Sequence, residues 1–198
     1  MNLVQRAINI NTQPRAEWAR VDAEPATVAG LFTGYAVILA LLPLIGTLLM
    51  GLLFGGVFGF SFVLVTGLVG YVVGLAVLFV MILIAKALAP SFGGTPSDIA
   101  AAKLLIYAAT PVWLAGILNF IPGINIIVML VGFGYAAYLL YLGSSIVMKI
   151  PADKAAAFTI VVVLIWIVLS FVVTAILGGI IVTALLGSAA MTGGYMLR

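Results

Sequence analysis

The chain has 198 residues, 66% of them apolar and only 7% charged, with a formal net charge of +3. A water-facing surface needs about a quarter of its residues charged, so this composition excludes a soluble domain and makes lipid the solvent. The sequence has no cysteine and no histidine, which excludes disulfides, thiol chemistry, haem ligation, zinc sites built on nitrogen or sulfur, and histidine acid–base catalysis; no metal or cofactor is expected.

Residues 1–27 read as a cytoplasmic interfacial amphipathic arm. They lack the apolar run of a cleavable signal peptide, so the first span is expected to serve as its own insertion signal. Leu3, Val4, Ala7 and Ile8 fall on one helical face, and after Pro14, which suits a first helical turn, Trp18 and Val21 share another. Two short helices lying in the interface with Trp18 as an anchor are predicted. Glu17 with Arg20, and Arg20 with Glu24, are spaced for helical ion pairs.

Five apolar runs follow, at about 28–54, 62–89, 99–120, 124–147 and 156–186, each reaching the roughly 20 residues that a bilayer span requires. The predicted fold is all-α, a polytopic membrane bundle of five transmembrane helices over 28–198 with short N-terminal interfacial helices. The first and third connectors, Gly55–Ser61 and Asn119–Asn125, carry no charge and read as tight turns, the second around Pro122-Gly123. The other two hold Lys86, Asp98 and Lys103, then Lys149, Asp153 and Lys154. With Arg6, Arg15 and Arg20 these place seven of the eight basic residues on one side, leaving Arg198 on the other. The positive-inside rule then sets the N-terminus in the cytoplasm and the C-terminus outside, consistent with an odd number of spans. The alternative is an even count with a re-entrant third segment, since that segment contains Pro111.

Each charged connector repeats a lysine, a proline and then an acid: Lys86, Pro90 and Asp98; Lys149, Pro151 and Asp153. Cations at helix C-termini and anions at N-termini complement the helix dipole, so capping is the expected role. A cation or lipid-headgroup site between Asp98 and Asp153 is the alternative. Pro43 should free the carbonyl of Leu39, and Pro111 that of Tyr107, so Tyr107, Pro111 and Asn119 are the candidates for a kink or cavity. Gly67, Gly70 and Gly74 form the most credible helix-packing face. Gly178-Gly179 is expected to mark a kink in the last segment.

Several patches together resemble bacterial Yip1-family inner-membrane proteins. They are Arg6-Ala7-Ile8-Asn9-Ile10, Pro14-Arg15-Ala16-Glu17-Trp18 with Glu24, Tyr107-Ala108-Ala109-Thr110-Pro111, Tyr138-Leu139-Leu140-Tyr141-Leu142-Gly143, and Met148-Lys149-Ile150-Pro151-Ala152-Asp153-Lys154-Ala155. The resemblance covers nearly the whole chain and implies five transmembrane helices with a cytoplasmic N-terminus. Eukaryotic members work in vesicle trafficking and bind prenylated Rab GTPases. That role does not carry over, because the Asp-Leu-Tyr-Gly-Pro motif of their cytosolic region is absent and the arm is short.

Ionisable residues deep in a span are the usual pointer to membrane chemistry, and these spans offer essentially none. The expected function is therefore non-enzymatic: a scaffold or membrane-organising factor acting through lipid and through other membrane proteins or a second copy of itself, with no nucleic-acid partner. The candidate contact residues are Pro14, Glu17, Trp18, Glu24, Lys149, Asp153 and Lys154. A small transporter or channel with a path near Pro111 is the alternative, and an accessory subunit of a larger complex a further one.

Overall fold

Asn2 starts the first helix by accepting the backbone N–H of Gln5 at 2.7 Å, which caps α1, Leu3–Thr12. Gln13 breaks the run, and Pro14 opens α2, Pro14–Ala23. These details come from a computed structural model that describes residues 2–54 and 59–196, with side chains left out at 182 and 184–196. The first four residues of the Gly55–Ser61 connector, and Arg198, lie outside the described residues.

The first span, Val28–Phe54, is built in pieces. Thr27 caps α3, Val28–Leu31, by accepting from the Gly30 N–H at 3.0 Å. A π-turn at Phe32–Ala36 leads into α4, Val37–Leu39, and after Ala40 the chain continues as α5, Leu41–Phe54. Breaks leave carbonyls unpaired inside lipid, where each would cost several kcal/mol (about that scale). Here the Tyr71 hydroxyl, from the next helix, donates to the Val37 carbonyl at 2.9 Å and offsets part of that cost.

The remaining helices are α6, Gly59–Leu88, ending in a 3₁₀ turn at Ala89–Phe92; α7, Asp98–Ala108; α8, Thr110–Gly116, with a 3₁₀ turn at Ile117–Phe120; α9, Ile124–Val147; and α10, Ala152–Met196. Among the described residues there is no β-strand, and five helical segments are long and apolar enough to cross a bilayer: Val28–Phe54, Gly59–Phe92, Asp98–Phe120, Ile124–Val147 and Ala152–Ile181. The chain is an all-α, multi-pass membrane protein. Residues 1–162 form one compact unit and residues 163–198 a second, which holds the rest of α10. That helix continues through Gly178-Gly179.

Within the first unit the third span is the hub. Its most apolar stretch is 72% buried, against 22% for each of the first, second and fourth spans. The reason lies in its composition: Ala101, Ala102, Ala108 and Ala109 let neighbouring helices approach closely, and all four are buried. Its bend falls at Ala109, just before Pro111, as a missing backbone donor dictates.

The closest packing falls mainly on glycines outside the predicted Gly67, Gly70 and Gly74 face. A Cβ at Gly46 would stand 2.3 Å from the Gly116 carbonyl oxygen, one at Gly51 2.7 Å from Val63, and one at Gly132 3.2 Å from the Pro111 carbonyl. Of the predicted stripe, only Gly67 meets the first span, at Leu44, while Gly70 and Gly74 face open space. Periodicity marks a small-residue face but not the helix it packs against.

Candidate functional site

The arm folds back on the bundle as a helical hairpin and carries a buried ionic cluster. On α1 the inward residues are Arg6, Ala7, Asn9 and Ile10; on α2 they are Glu17, Trp18 and Val21. Arg6 donates to Glu17 Oε1 at 2.6 Å from one nitrogen and to Glu24 from the other. Glu17 is only 1% exposed, and its second oxygen accepts from Asn9 at 3.3 Å and Arg20 at 3.2 Å. A buried carboxylate is tolerable only when paired and hydrogen-bonded in this way. Burial works against the Arg6 charge, but the Glu24 hydrogen bond and the fields of Glu24 and Glu17 outweigh it, so its pKa lies above the ordinary arginine value. Arg6 is thus charged at every pH in which the protein is handled.

Two lysines of the bundle complete the clamp. Lys103, on the third span, donates to the backbone carbonyls of Glu24 at 2.6 Å and Asp22 at 3.3 Å, where α2 ends and its dipole is negative. Lys149 sits in the left-handed region at φ 57, just past α9, and reaches both Asp22 Oδ2 and the Ile146 carbonyl at 2.6 Å. Lower down, the Tyr135 hydroxyl holds the Asn11 carbonyl at 2.7 Å.

An aromatic ladder runs from the cluster into the hub. The Arg6 guanidinium lies 5.4 Å from the Tyr107 ring centre. Trp18 and Tyr35 both meet Tyr107 edge to face, at 6.4 and 4.8 Å between centroids. The Tyr35 hydroxyl is 2.9 Å from Thr110 Oγ1, which donates to the Tyr107 carbonyl at 2.7 Å. The carbonyl freed by Pro111 is therefore satisfied by a side chain, and Thr110 is fully buried. The kink holds a packed contact where a polar path was the alternative expectation.

Trp18 is fully buried, which changes its expected role from lipid anchor to core residue. Its ring lies over Gly143, where a Cβ would stand 2.7 Å from it. Its Nε1 is buried without a hydrogen-bond partner. Glu17 likewise points inward, and Glu24 pairs with Arg6 in place of the helical partner Arg20 that its spacing suggested. Pro14 occupies the first turn of α2. Asp153 and Lys154 are exposed in the first turn of α10, apart from the clamp's ion pairs. Asp98 lies in the first turn of α7, capped by Ser97, and bonds Lys86 at 2.8 Å. Asp98 is thus paired to a cation, and no group of three or more acids among the described residues is placed to hold a metal. Asn119 sits partly exposed in the 3₁₀ turn at the far end of the third span from Asp98.

From sequence, Arg6 and Lys103 count toward the charge bias, Arg6 and Thr110 toward the family resemblance, and Tyr35 toward neither; none stands out as a site residue. No helical spacing joins Arg6 to Glu17 or Lys103 to Glu24; the hairpin brings the first pair together and the packing of the arm on the third span the second. The one available signal was the excess of charge in an arm attached to an otherwise apolar chain.

A family model, the Yip1 domain, matches residues 8–176. The chain belongs to the Yip1 family. The Yip1 match begins just after Arg6 and takes in Glu17, Glu24, Lys103, Tyr107 and Lys149, so most of the clamp lies inside it. Neither a curated protein nor a solved structure matches the chain.

Proposed function

We propose that this Yip1-family chain is a non-enzymatic scaffold or membrane-organising factor of the bacterial inner membrane, acting through protein and lipid contacts. The observation that supports this reading is the clamp. Its charges, of which those of Arg6, Glu17 and Lys103 are buried, are matched with one another or with helix-end carbonyls and tie the arm to the bundle. A relay or a nucleophile needs an ionisable group left free to change state, whereas a docking platform needs its groups held still.

The test is cross-linking in the membrane followed by gentle extraction. Discrete complexes with itself or other membrane proteins are expected, and reconstituted liposomes are expected to show no solute flux. A monomer that retains neither protein nor lipid would overturn the proposal, and measurable flux would favour a transporter.

The proposed orientation has the N-terminus in the cytoplasm and the C-terminus outside, from the seven basic residues gathered at the arm and its two neighbouring connectors. Because the chain has no cysteine, single substitutions report it directly. A membrane-impermeant maleimide applied to intact cells is expected to label Pro122→Cys and to spare Asn2→Cys and Thr95→Cys. The reverse pattern would invert the topology.

A further inference from the structure

The arm reaches deeper than a helix lying in the interface would. Along α9, Lys149 holds Asp22, the gap at Gly143 takes Trp18, and Tyr135 holds the Asn11 carbonyl. The hairpin therefore runs beside α9, and its turn at Gln13 lies close to the level of Tyr135, about 18 Å along the helix from Val147. The other spans give a similar depth. Leu42 and Leu114 border one apolar groove with α1, and they stand about 20 and 24 Å along from Val28 and Asp98, where their spans begin. In a hydrocarbon core of about 30 Å, all three marks set the tip of the hairpin well inside the bilayer.

The outer face of α2 does not suit hydrocarbon. Its exposed residues are Arg15, Ala16, Ala19, Arg20 and Ala23, with no large apolar side chain among them, and Thr12 and Gln13 are exposed at the tip. The far side of α9 is different. Phe133, two residues from Tyr135 and so on the opposite side of the helix, is 51% exposed, as a lipid-facing residue should be. Arg15 takes part in no ion pair among the described residues. The neighbouring acid, Glu17, is already occupied by Arg6, Asn9 and Arg20. An unpaired cation at span depth draws water inward and thins the bilayer around it.

We propose that the leaflet on the charged side is indented along the outer face of α2, so that water follows this face down to Arg15. The alanines between Arg15 and Arg20 add no apolar bulk to hold lipid there, and the long arginine stems extend toward the water. A second copy of the chain would bring no free acid to this depth. Glu17 is buried, Asp22, Glu24 and Asp98 are paired, and Asp153 lies beyond the end of α9. The proposal deepens the membrane-organising part of the function proposed above and rests on it, since a thinned leaflet is a physical means of organising a membrane. The two fail separately, because the scaffold test reads protein complexes and the following one reads water.

The chain has no cysteine, so water can be mapped with single substitutions. The experiment measures how fast a charged methanethiosulfonate modifies each variant of the full chain in nanodiscs of phosphatidylethanolamine and phosphatidylglycerol, where both faces are open to the reagent. Ala16→Cys and Ala19→Cys are expected to react within about tenfold of Thr95→Cys in the exposed connector, and Phe133→Cys at least about a hundredfold more slowly, because a thiol in apolar surroundings resists ionisation. Adding Arg15→Leu is expected to slow Ala16→Cys about tenfold as water recedes, and adding Arg15→Lys, which keeps the charge, to leave its rate unchanged. An unaltered thermal midpoint establishes that each variant is folded. Ala16→Cys as slow as Phe133→Cys would overturn the proposal by leaving α2 dry. Phe133→Cys as fast as Ala16→Cys would overturn it by placing that whole level outside the bilayer, and so would a rate at Ala16→Cys that ignores Arg15→Leu.

Discussion

Arg6→Met is expected to lower the thermal midpoint of the purified protein by on the order of 10 °C, and to make Arg15 and Arg20 readily cleavable by trypsin. The size follows from what is left behind. Glu17 keeps its burial, at 1% exposure, but loses its shortest hydrogen bond, and Tyr107 loses the cation over its ring. Removing one member of a buried pair costs about 3–5 kcal/mol, and in a chain of this size each kcal/mol is worth about 2–4 °C. Glu17→Leu alone should be similarly damaging, because it strands Arg6 at 4% exposure with only Glu24 to pair with.

The double variant Arg6→Met with Glu17→Leu should recover part of the loss. It removes both buried charges together, and the groups it leaves, Arg20 and Glu24, are 57% and 47% exposed and can be solvated. If the double variant melted below both singles, the cluster would be a packing element and not a charge-matched one. Detergent melts read by circular dichroism, with tryptic mapping of the arm, distinguish these outcomes.

The second large effect is expected from Gly46→Ala. The added methyl would lie 2.3 Å from the Gly116 carbonyl oxygen and 2.8 Å from that of Ile117, and both obstacles are backbone. Neither can rotate away, so the first and third spans must separate at their closest approach. Gly116→Ala meets the same contact from the other side, with Pro43 Cβ at 2.4 Å. Overpacking of this kind costs at least about 1–3 kcal/mol even in cores that can shift, and little folded protein is expected to accumulate in membranes.

Gly70→Ala and Gly74→Ala serve as the comparison. With nothing within 4 Å of either site, they should leave the isolated chain within about 0.5 kcal/mol of the wild type. If they nonetheless abolish the cross-linked complexes expected of a scaffold, the open Gly70/Gly74 face is where a partner helix sits. A destabilised Gly70→Ala chain and an unaffected Gly46→Ala chain would together contradict the described packing.

The membrane character, the helix count and the location of the charges all follow from composition and periodicity. Runs such as Ile124–Val147 are long and apolar whatever they pack against, and lipid permits little except a helix for such a run. The lysine and the acid of the first charged connector, expected only to cap their helices, also pair with each other, Lys86 with Asp98. Those of the second do not: Lys149 reaches back to Asp22 on the arm, leaving Asp153 exposed. Both lysines close a helix before a proline, and only the position of the arm separates their fates.

The arm itself shows where sequence reasoning stops. Amphipathic spacing placed Leu3, Val4, Ala7 and Ile8 on one face, and the structure divides that face, burying Ala7 and leaving Val4 and Ile8 exposed. Trp18 has the composition of an interfacial anchor, yet Gly143 provides the gap that takes it into the core. Apolar faces are legible from sequence because hydrophobicity is a property of each side chain taken alone. Which surface covers such a face, and which carboxylate meets Arg6, depends on a hairpin turn at Gln13 and on residues more than a hundred positions away, such as Gly143 and Lys149 with their partners on α2. The sequence by itself therefore determined that this chain lives in a bilayer as a helical bundle charged at one end. Only the tertiary structure decided that the charges are matched into a clamp around the buried Arg6 and Glu17, because pairing is a property of positions in space and burial makes a mismatch there costly.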